Sequence, residues 1–260
     1  MHKNIPIFDS LTHPTLSGNW FKIRNKSSFE FLKNEILQQK FIGACAVGIS
    51  GLEKYNHKLF IEKCKTIPKI YPVAGFNPNT IDISKELREI KKLGYKGIKI
   101  HPRFNKIKLN GSNILETFKI AEKENLIVFL CTFFSTNIIE MPISDPFWDL
   151  VKLIKEAPEL KIILLHGGVQ ELMKYAELVR FNDNLLLDIS YTMIRYKNSS
   201  LRYDIDYLFK HLDQKICIGS DFPEYSLSDL RKTFNYYSDK ISRKKSENIA
   251  YKNIIAFLNK

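Results

Sequence analysis

The sequence lacks the long apolar runs of a membrane protein. No apolar run approaches the roughly 18 residues that a membrane-spanning helix needs. The N-terminal segment MHKNIPIFDS has no long apolar stretch with a small-residue cleavage site, which a secretory signal would show. Low-complexity linkers, internal repeats and coiled-coil heptads are also absent. We therefore expect one cytoplasmic domain over residues 1–260 that binds no membrane.

Cysteine is scarce, and its spacing excludes common redox and zinc motifs. The four cysteines, Cys45, Cys64, Cys131 and Cys217, form no CxxC pair. Three of them lie inside or at the end of predicted strands. Small buried thiols are the simplest interpretation of Cys45 and Cys217.

The charge is unbalanced but not patterned. Lysine and arginine outnumber aspartate and glutamate by 40 to 28, for a formal net charge of +12. Nucleic-acid binding would concentrate these residues on one stripe, whereas here they are spread over every predicted helix. We interpret the charge as a lysine-rich surface and expect no nucleic-acid partner.

Short apolar runs that end on polar residues recur along the chain. Runs bounded by turn signals are typical of strands buried on both faces of a parallel sheet. Helical patterns lie between them, which predicts a single α/β domain: a (β/α)8 TIM barrel with an additional C-terminal helix. The predicted strands are 5–8, 43–49, 70–76, 97–101, 126–132, a sixth within 161–168, 185–189 and 216–220.

Titratable residues collect at the predicted carboxyl ends of the strands. These are His13, His101, Cys131, His166 and Asp221, after strands one, four, five, six and eight. In a barrel those ends converge on one mouth. Histidine, cysteine and aspartate are ligands that Zn prefers, and a metal would make a bound water acidic enough to react. Asp188 and Ser190, after strand seven, are expected to position a loop.

Basic and aromatic residues near the same mouth indicate the substrate class. Lys99, Arg103 and Arg195 lie near the ends of strands four and seven, where a cation would bind a carboxylate. Trp20 and Phe222 lie on loops that would wall a pocket. We expect a small anionic organic substrate.

The order of the motifs resembles one known family. FDSLTH, YPVAGFNP, YKGIKIHPRF, KIILLHGG, LLLDIS and IGSDFP are similar, in this order, to the amidohydrolase superfamily. The resemblance is to its amidohydrolase-related branch, with aminocarboxymuconate semialdehyde decarboxylases and lactone hydrolases. It implies a (β/α)8 barrel that holds Zn or another divalent metal and hydrolyses its substrate with water. A carbon–carbon lyase is the alternative reaction, and a homodimer is implied by analogy.

Two positions depart from the family pattern. The family has an H-x-H pair after the first strand, but Leu11 stands at its first position and only His13 remains. Cys131 stands where a histidine closes the fifth strand. His166 matches the histidine that polarises or deprotonates the catalytic water, and Asp221 matches an aspartate that binds metal or moves protons. The resemblance thus implies His166 and Asp221 as catalytic residues. A re-formed metal site would use His13, Cys131 and Asp221, with His101 or His166 as a further ligand. Arg103, Trp20 and Phe222 are expected to contact the substrate because of their positions near the mouth.

Three interpretations of the altered site stay open. One is a re-formed zinc site that uses the Cys131 thiolate. Another is an enzyme without metal, in which His166 and Asp221 form an acid/base pair or Cys131 acts as a nucleophile. The last is a catalytically inactive barrel that binds a small molecule or a protein partner. We expect a hydrolase that adds water to a C–O or C–N bond.

Overall fold

A ring of parallel strands forms the centre of the molecule. The computed structural model describes residues 5–21, 26–52, 54–137, 139, 141 and 144–259. Within these ranges eight strands form one sheet in sequential order, each parallel to the next. They are β1 (Phe8–Thr12), β2 (Gly43–Val47), β3 (Ile70–Phe76), β4 (Gly97–Ile100), β5 (Ile127–Cys131), β6 (Ile162–Leu165), β7 (Leu185–Asp188) and β8 (Ile216–Cys217).

Backbone hydrogen bonds between the first and last strand segments close the ring. The Ser10 amide donates to the Ile218 carbonyl at 3.0 Å, and the Asp221 amide donates to the Leu11 carbonyl at 3.0 Å. A parallel bridge joins Thr12 and Phe222. This seam sets the segment after β1 beside the segment after β8.

Helices surround the ring, and the predicted (β/α)8 fold with an extra C-terminal helix is confirmed. The Ser28 hydroxyl caps the first helix, and Gly94 ends the third in a left-handed conformation. The described helices are α1 (Phe29–Gln38), α2 (His57–Cys64), α3 (Ile83–Leu93), α4 (Pro102–Asn105), α5 (Ser112–Lys123), α6 (Pro146–Glu156), α7 (Leu172–Arg180), α8 (Thr192–Arg195), α9 (Leu201–His211), α10 (Leu227–Ser238), α11 (Arg243–Glu247) and α12 (Asn253–Asn259). A 3₁₀ turn spans His166–Glu171, and a π-helical turn spans Asn248–Lys252.

The core has two layers, as an α/β barrel requires. The outer layer lies between the sheet and the helices, and the inner layer fills the ring. Side chains alternate between these layers along a strand. In β5, for example, Val128 and Leu130 belong to the outer layer, and Ile127 and Phe129 to the inner one. The C-terminal helix α12 adds Ile254, Phe257 and Leu258 to the inner layer.

The first and last strands differ from their predicted bounds. The first was expected over 5–8 but spans Phe8–Thr12, and the eighth was expected over 216–220 but spans Ile216–Cys217. The sequence prediction assigned Asp9 and Ser10 to the loop after the strand because they are polar. In the barrel they are fully buried, and their polar groups bond to Ser220 and Asp188. The polar groups of Asp9 and Ser10 are thus satisfied by buried hydrogen-bond partners, and not by solvent as the sequence pattern suggested.

No described helix has the length and apolar composition needed to cross a membrane.

Candidate active site

The carboxyl ends of the strands bring the expected titratable residues into one cluster. His13, Cys131, His166 and Asp221 are all buried, with 3%, 1%, 5% and 7% of their surfaces exposed. His13 Nε2 lies 3.4 Å from Asp221 Oδ1. His101 and His166 lie near enough to Cys131 to lower the pKa of its thiol. Histidines at some strand ends thus lie beside the acid (Asp221) or the thiol (Cys131) at the ends of other strands.

His13 is fixed from both sides. Its Nδ1 donates to the Val47 carbonyl at 2.7 Å, so Nε2 is the nitrogen that faces Asp221. The Trp20 ring stacks on the imidazole, with 4.8 Å between centroids and 10° between planes. Burial lowers the pKa of His13, against the raising effect of Asp221. A neutral His13 can therefore take up a proton at Nε2.

His166 is held by an unusual backbone. His166, Gly167, Gly168 and Val169 have φ of 66°, 57°, 74° and 55°. Left-handed backbone costs energy in residues with a Cβ, so the surroundings must fix this turn. The Thr192 hydroxyl donates to the His166 carbonyl at 2.7 Å, and the Gly168 amide donates to the Thr132 hydroxyl at 2.8 Å.

The charges of the cluster set its protonation states. Burial alone would lower the pKa of His166, but the charges of Asp221 and Cys131 raise it above its ordinary value. Burial would raise the pKa of Asp221, but His166, His13 and Lys99 lower it. The pair therefore favours a protonated His166 and an ionised Asp221.

Cys131 lies on the inner face of β5. Burial would raise the pKa of its thiol, but His101, Lys99 and His166 hold it well below the ordinary value. Its neighbours therefore favour the thiolate. Cys45 and Cys217 behave oppositely, because burial raises the pKa of both thiols well above the ordinary value, and this agrees with their interpretation as core residues.

Lys99 is part of the same cluster. Ile98 and Ile100 belong to the outer core layer, so the alternation of β4 directs Lys99 into the barrel. Its side chain is 1% exposed, and its Nζ has no hydrogen-bond partner among the described residues. Burial lowers the pKa of Lys99, while Cys131, Asp221 and Asp188 oppose this effect.

A polar network lies beneath the cluster, and sequence reasoning missed its members except Asp188 and Ser190, which it expected to position a loop. Ser220 donates to Asp9 from its hydroxyl (2.6 Å to Oδ2) and from its amide (2.9 Å to Oδ1). Asp188 accepts hydrogen bonds from the hydroxyls of Ser10 and Ser190 and from the His166 amide. Asp188 thus positions the His166 turn. The sequence signal that could have indicated this network is the polar pair Asp9 and Ser10 next to the apolar Phe8 at the start of β1.

The predicted substrate contacts occupy different places. The Trp20 indole covers His13 and donates to Glu224 Oε1 at 2.7 Å. Phe222 is buried in the outer core, 6.0 Å from the Phe31 ring centroid to centroid. Arg103 is exposed, and its guanidinium lies 4.3 Å above the centre of the Phe133 ring. Of these, Trp20 contacts the cluster directly.

A cavity of about 650 Å³ lies between the loops that follow β4 and β5, and its lining does not include His13, Cys131, His166 or Asp221. Its charged lining includes Arg103, Lys106, Lys108 and Asp149. The space next to His13 and Trp20 is only about 10 Å³. A small acid would find room and positive charge in the larger cavity.

The described residues do not fit a divalent metal as they are arranged. No three histidine, cysteine, aspartate or glutamate side chains within the described ranges are grouped so that they could hold a metal ion. Leu11 is fully buried in the inner core and offers no ligand. The metal roles of His13, Cys131, Asp221 and His101 stay a prediction.

Comparison with known proteins identifies the family. An amidohydrolase family model (Amidohydro_2) matches residues 46–259. The chain belongs to the amidohydrolase family. This confirms the resemblance found in the sequence, although the matched range does not include β1, with Leu11, or His13. No match was found among curated proteins.

Solved structures of other amidohydrolase-family barrels share this fold. A protein assigned as a 2-pyrone-4,6-dicarboxylic acid hydrolase from Pseudomonas putida is 15% identical, with 98% of each chain covered and a TM-score of 0.72. The 5-carboxyvanillate decarboxylase LigW from Sphingomonas paucimobilis is 12% identical, covers 98% of this chain and 99% of its own, and has a TM-score of 0.69. An amidohydrolase from Burkholderia multivorans with bound zinc is 10% identical, with the same coverage and a TM-score of 0.72. At these identities the likeness shows the fold alone.

Proposed function

We propose that this amidohydrolase-family barrel hydrolyses a C–O or C–N bond of a small anionic organic substrate. One observation carries the proposal: His13, Cys131, His166 and Asp221 are buried together at the end of the barrel where its strands end. Burying several titratable groups is costly unless they interact, and perturbed groups of this kind cluster at functional sites.

The reaction assigns one proton transfer to each end of the cluster. Ionised Asp221, with His13 Nε2 beside it, accepts a proton from the attacking water. The water oxygen bonds to the acyl carbon of the substrate. His166, whose raised pKa favours the protonated form, gives its proton to the leaving oxygen or nitrogen as that bond breaks. A second proton transfer, from Asp221 to His166 through product or water, restores the starting state.

No step of this reaction is assigned to a metal. A divalent ion would act as a Lewis acid towards water and substrate, and relatives in this fold include one with bound zinc. The described donor side chains do not group around an ion site, so residues of the chain carry every proton transfer of the proposed reaction.

The anionic substrate class is supported by charge and by relatives. Arg103, Lys106 and Lys108 line the cavity between the loops that follow β4 and β5. The structural neighbours from Pseudomonas putida and Sphingomonas paucimobilis are named for substrates that carry carboxylic acid groups.

A carbon–carbon lyase is the second candidate. The decarboxylase LigW has the same fold, and a protonated His166 is a suitable donor to the carbanion that loss of CO2 leaves. The two reactions differ in their products, since hydrolysis consumes water and forms a new carboxylic acid, whereas decarboxylation releases CO2.

The test is a substrate screen with a histidine variant. Lactones, esters and amides of small di- and tricarboxylic acids are assayed for acid release, and the corresponding free acids for CO2. We expect acid release, with His166→Asn lowering kcat about 10²–10⁴-fold. His211→Asn, on helix α9, is the control and should leave kcat unchanged. Equal activity in wild type and His166→Asn would remove His166 from the mechanism, and CO2 without acid release would favour the lyase.

A further inference from the structure

The barrel encloses a lysine amino group that no described residue satisfies. Lys99 Nζ is fully enclosed, and it makes no hydrogen bond to any residue in the described ranges. An ammonium group carries three donors. Burying them without acceptors is unfavourable, so such an arrangement is retained where a ligand completes it.

Negative groups surround this ammonium without contacting it. The charges of Cys131, Asp221 and Asp188 act on Lys99, and that of Lys99 acts on His13 and His166. Lys99 thus lies within electrostatic range of the cluster, and its donors remain available to a bound molecule with oxygen acceptors.

The position of Lys99 also bears on the metal. Like charges repel strongly in the low-dielectric interior of a barrel, so a divalent ion among the same side chains would be disfavoured. The buried apolar Leu11 and the ungrouped donor side chains agree with this.

We propose that the Lys99 ammonium serves this site as its resident cation in place of a metal ion, and that it binds an oxyanion, the carboxylate or developing oxyanion of the substrate. The inference rests on the proposed function for the class of substrate, but its test measures binding and does not require turnover. Arg103 is exposed and its charge acts on the buried Lys99, so the two side chains are a pair of positive groups on this side of the barrel.

Formate is the appropriate probe because it is the smallest carboxylate and Lys99 is buried. Thermal unfolding is measured with formate and, at the same ionic strength, with neutral formamide. A ligand that binds only the folded state raises Tm with concentration. We expect formate to raise the Tm of the wild type, formamide to leave it unchanged, and Lys99→Met and Lys99→Gln to lose the formate effect. Lys96→Met, at an exposed lysine just before the same strand, is the matched control and should keep it.

Two results would overturn the proposal. One is a wild-type protein whose Tm formate does not raise above the formamide control, a measurement that needs no variant to fold. The other is one zinc ion per chain retained by the untagged wild type after dialysis, and lost in His13→Asn. Formate binding that depends on Lys99 in a protein that hydrolyses none of the screened substrates would refute the proposed function and leave the role of Lys99 standing.

Discussion

Asp221 Oδ1 lies 3.4 Å from His13 Nε2 across the seam that closes the barrel. The two residues are 208 positions apart, and the hydrogen bonds from the Asp221 amide to the Leu11 carbonyl and from the His13 amide to the Phe222 carbonyl hold them there. Barrel closure therefore builds half of the candidate site. The other half, around His166 and Cys131, comes from neighbouring strands β5 and β6.

Asp221→Asn should abolish most turnover without unfolding the protein. The amide retains the size of the carboxyl but cannot accept the proton of the attacking water, so kcat should fall about 10²–10⁴-fold. Steady-state kinetics on the substrate found in the screen, with circular dichroism for the fold, measure this. Asp204→Asn, in the first turn of α9, is the control. Wild-type kcat in Asp221→Asn would assign the base to another group.

Cys131→Ser separates water attack from attack by the thiolate. Serine keeps a polar group next to His101 and His166, and our mechanism gives the sulfur no bond to the substrate. We expect kcat within about tenfold of wild type, and no covalent adduct in the intact mass of acid-quenched wild type. Cys64→Ser, a buried thiol in the outer core, is the control. A fall of several orders of magnitude together with an acyl adduct would establish Cys131 as the nucleophile.

Sequence reasoning found the fold because buried strands carry a pattern of their own. The mainly apolar runs GIKI of β4 and IVFLC of β5 end at polar residues. In a (β/α)8 barrel the carboxyl ends of all strands lie at the same mouth. The same reasoning predicted that His13, Cys131, His166 and Asp221 lie at one mouth, but it did not indicate which of them would be neighbours.

What sequence reasoning missed depends on three-dimensional partners. Asp9 and Ser10 belong to β1 only because Ser220 and Asp188, distant in the chain, satisfy them. Phe222 was expected to wall the pocket, but it packs in the outer core against Phe31, since its loop turns at the seam. The residue type alone does not indicate that Lys99 Nζ lacks a hydrogen-bond partner among the described residues.

The pH dependence of stability should report on Asp9. Burial raises the pKa of its carboxyl from 3.8 to about 7, against the opposing hydrogen bonds from Ser220 and Leu11. The folded state therefore holds a proton that the unfolded state has lost. The free energy of unfolding falls as pH rises from about 4 to 7, and the full penalty is present above pH 7.

Asp9→Asn removes this titration. Its free energy of unfolding relative to wild type should rise by about 2–4 kcal/mol between pH 4 and pH 8. Urea unfolding at several pH values measures the difference, with Asp204→Asn as the reference variant. A difference that does not change with pH would mean that Asp9 is ionised in the folded protein throughout this range.

The turn that presents His166 should not tolerate a side chain at Gly168. Gly168 has φ of 74°, and a Cβ there would lie 2.1 Å from the Tyr175 ring. Gly18 has nearly the same φ, 75°, but its Cβ would meet only Ser28 Cβ at 3.7 Å. The pair therefore separates the cost of the backbone from the cost of the clash. Gly18→Ala should lower the free energy of unfolding by about 1–2 kcal/mol.

Gly168→Ala should lower it by about 2–5 kcal/mol, because overpacking adds to the backbone cost. The variant should also lose more turnover than its unfolded fraction explains. We expect the backbone at position 168 to shift away from the Tyr175 ring, and His166 lies in the same turn. Urea unfolding and kinetics at a temperature where the variant stays folded measure both effects. Equal destabilisation in the two glycine variants, with wild-type kcat in Gly168→Ala, would show that the turn yields without moving His166.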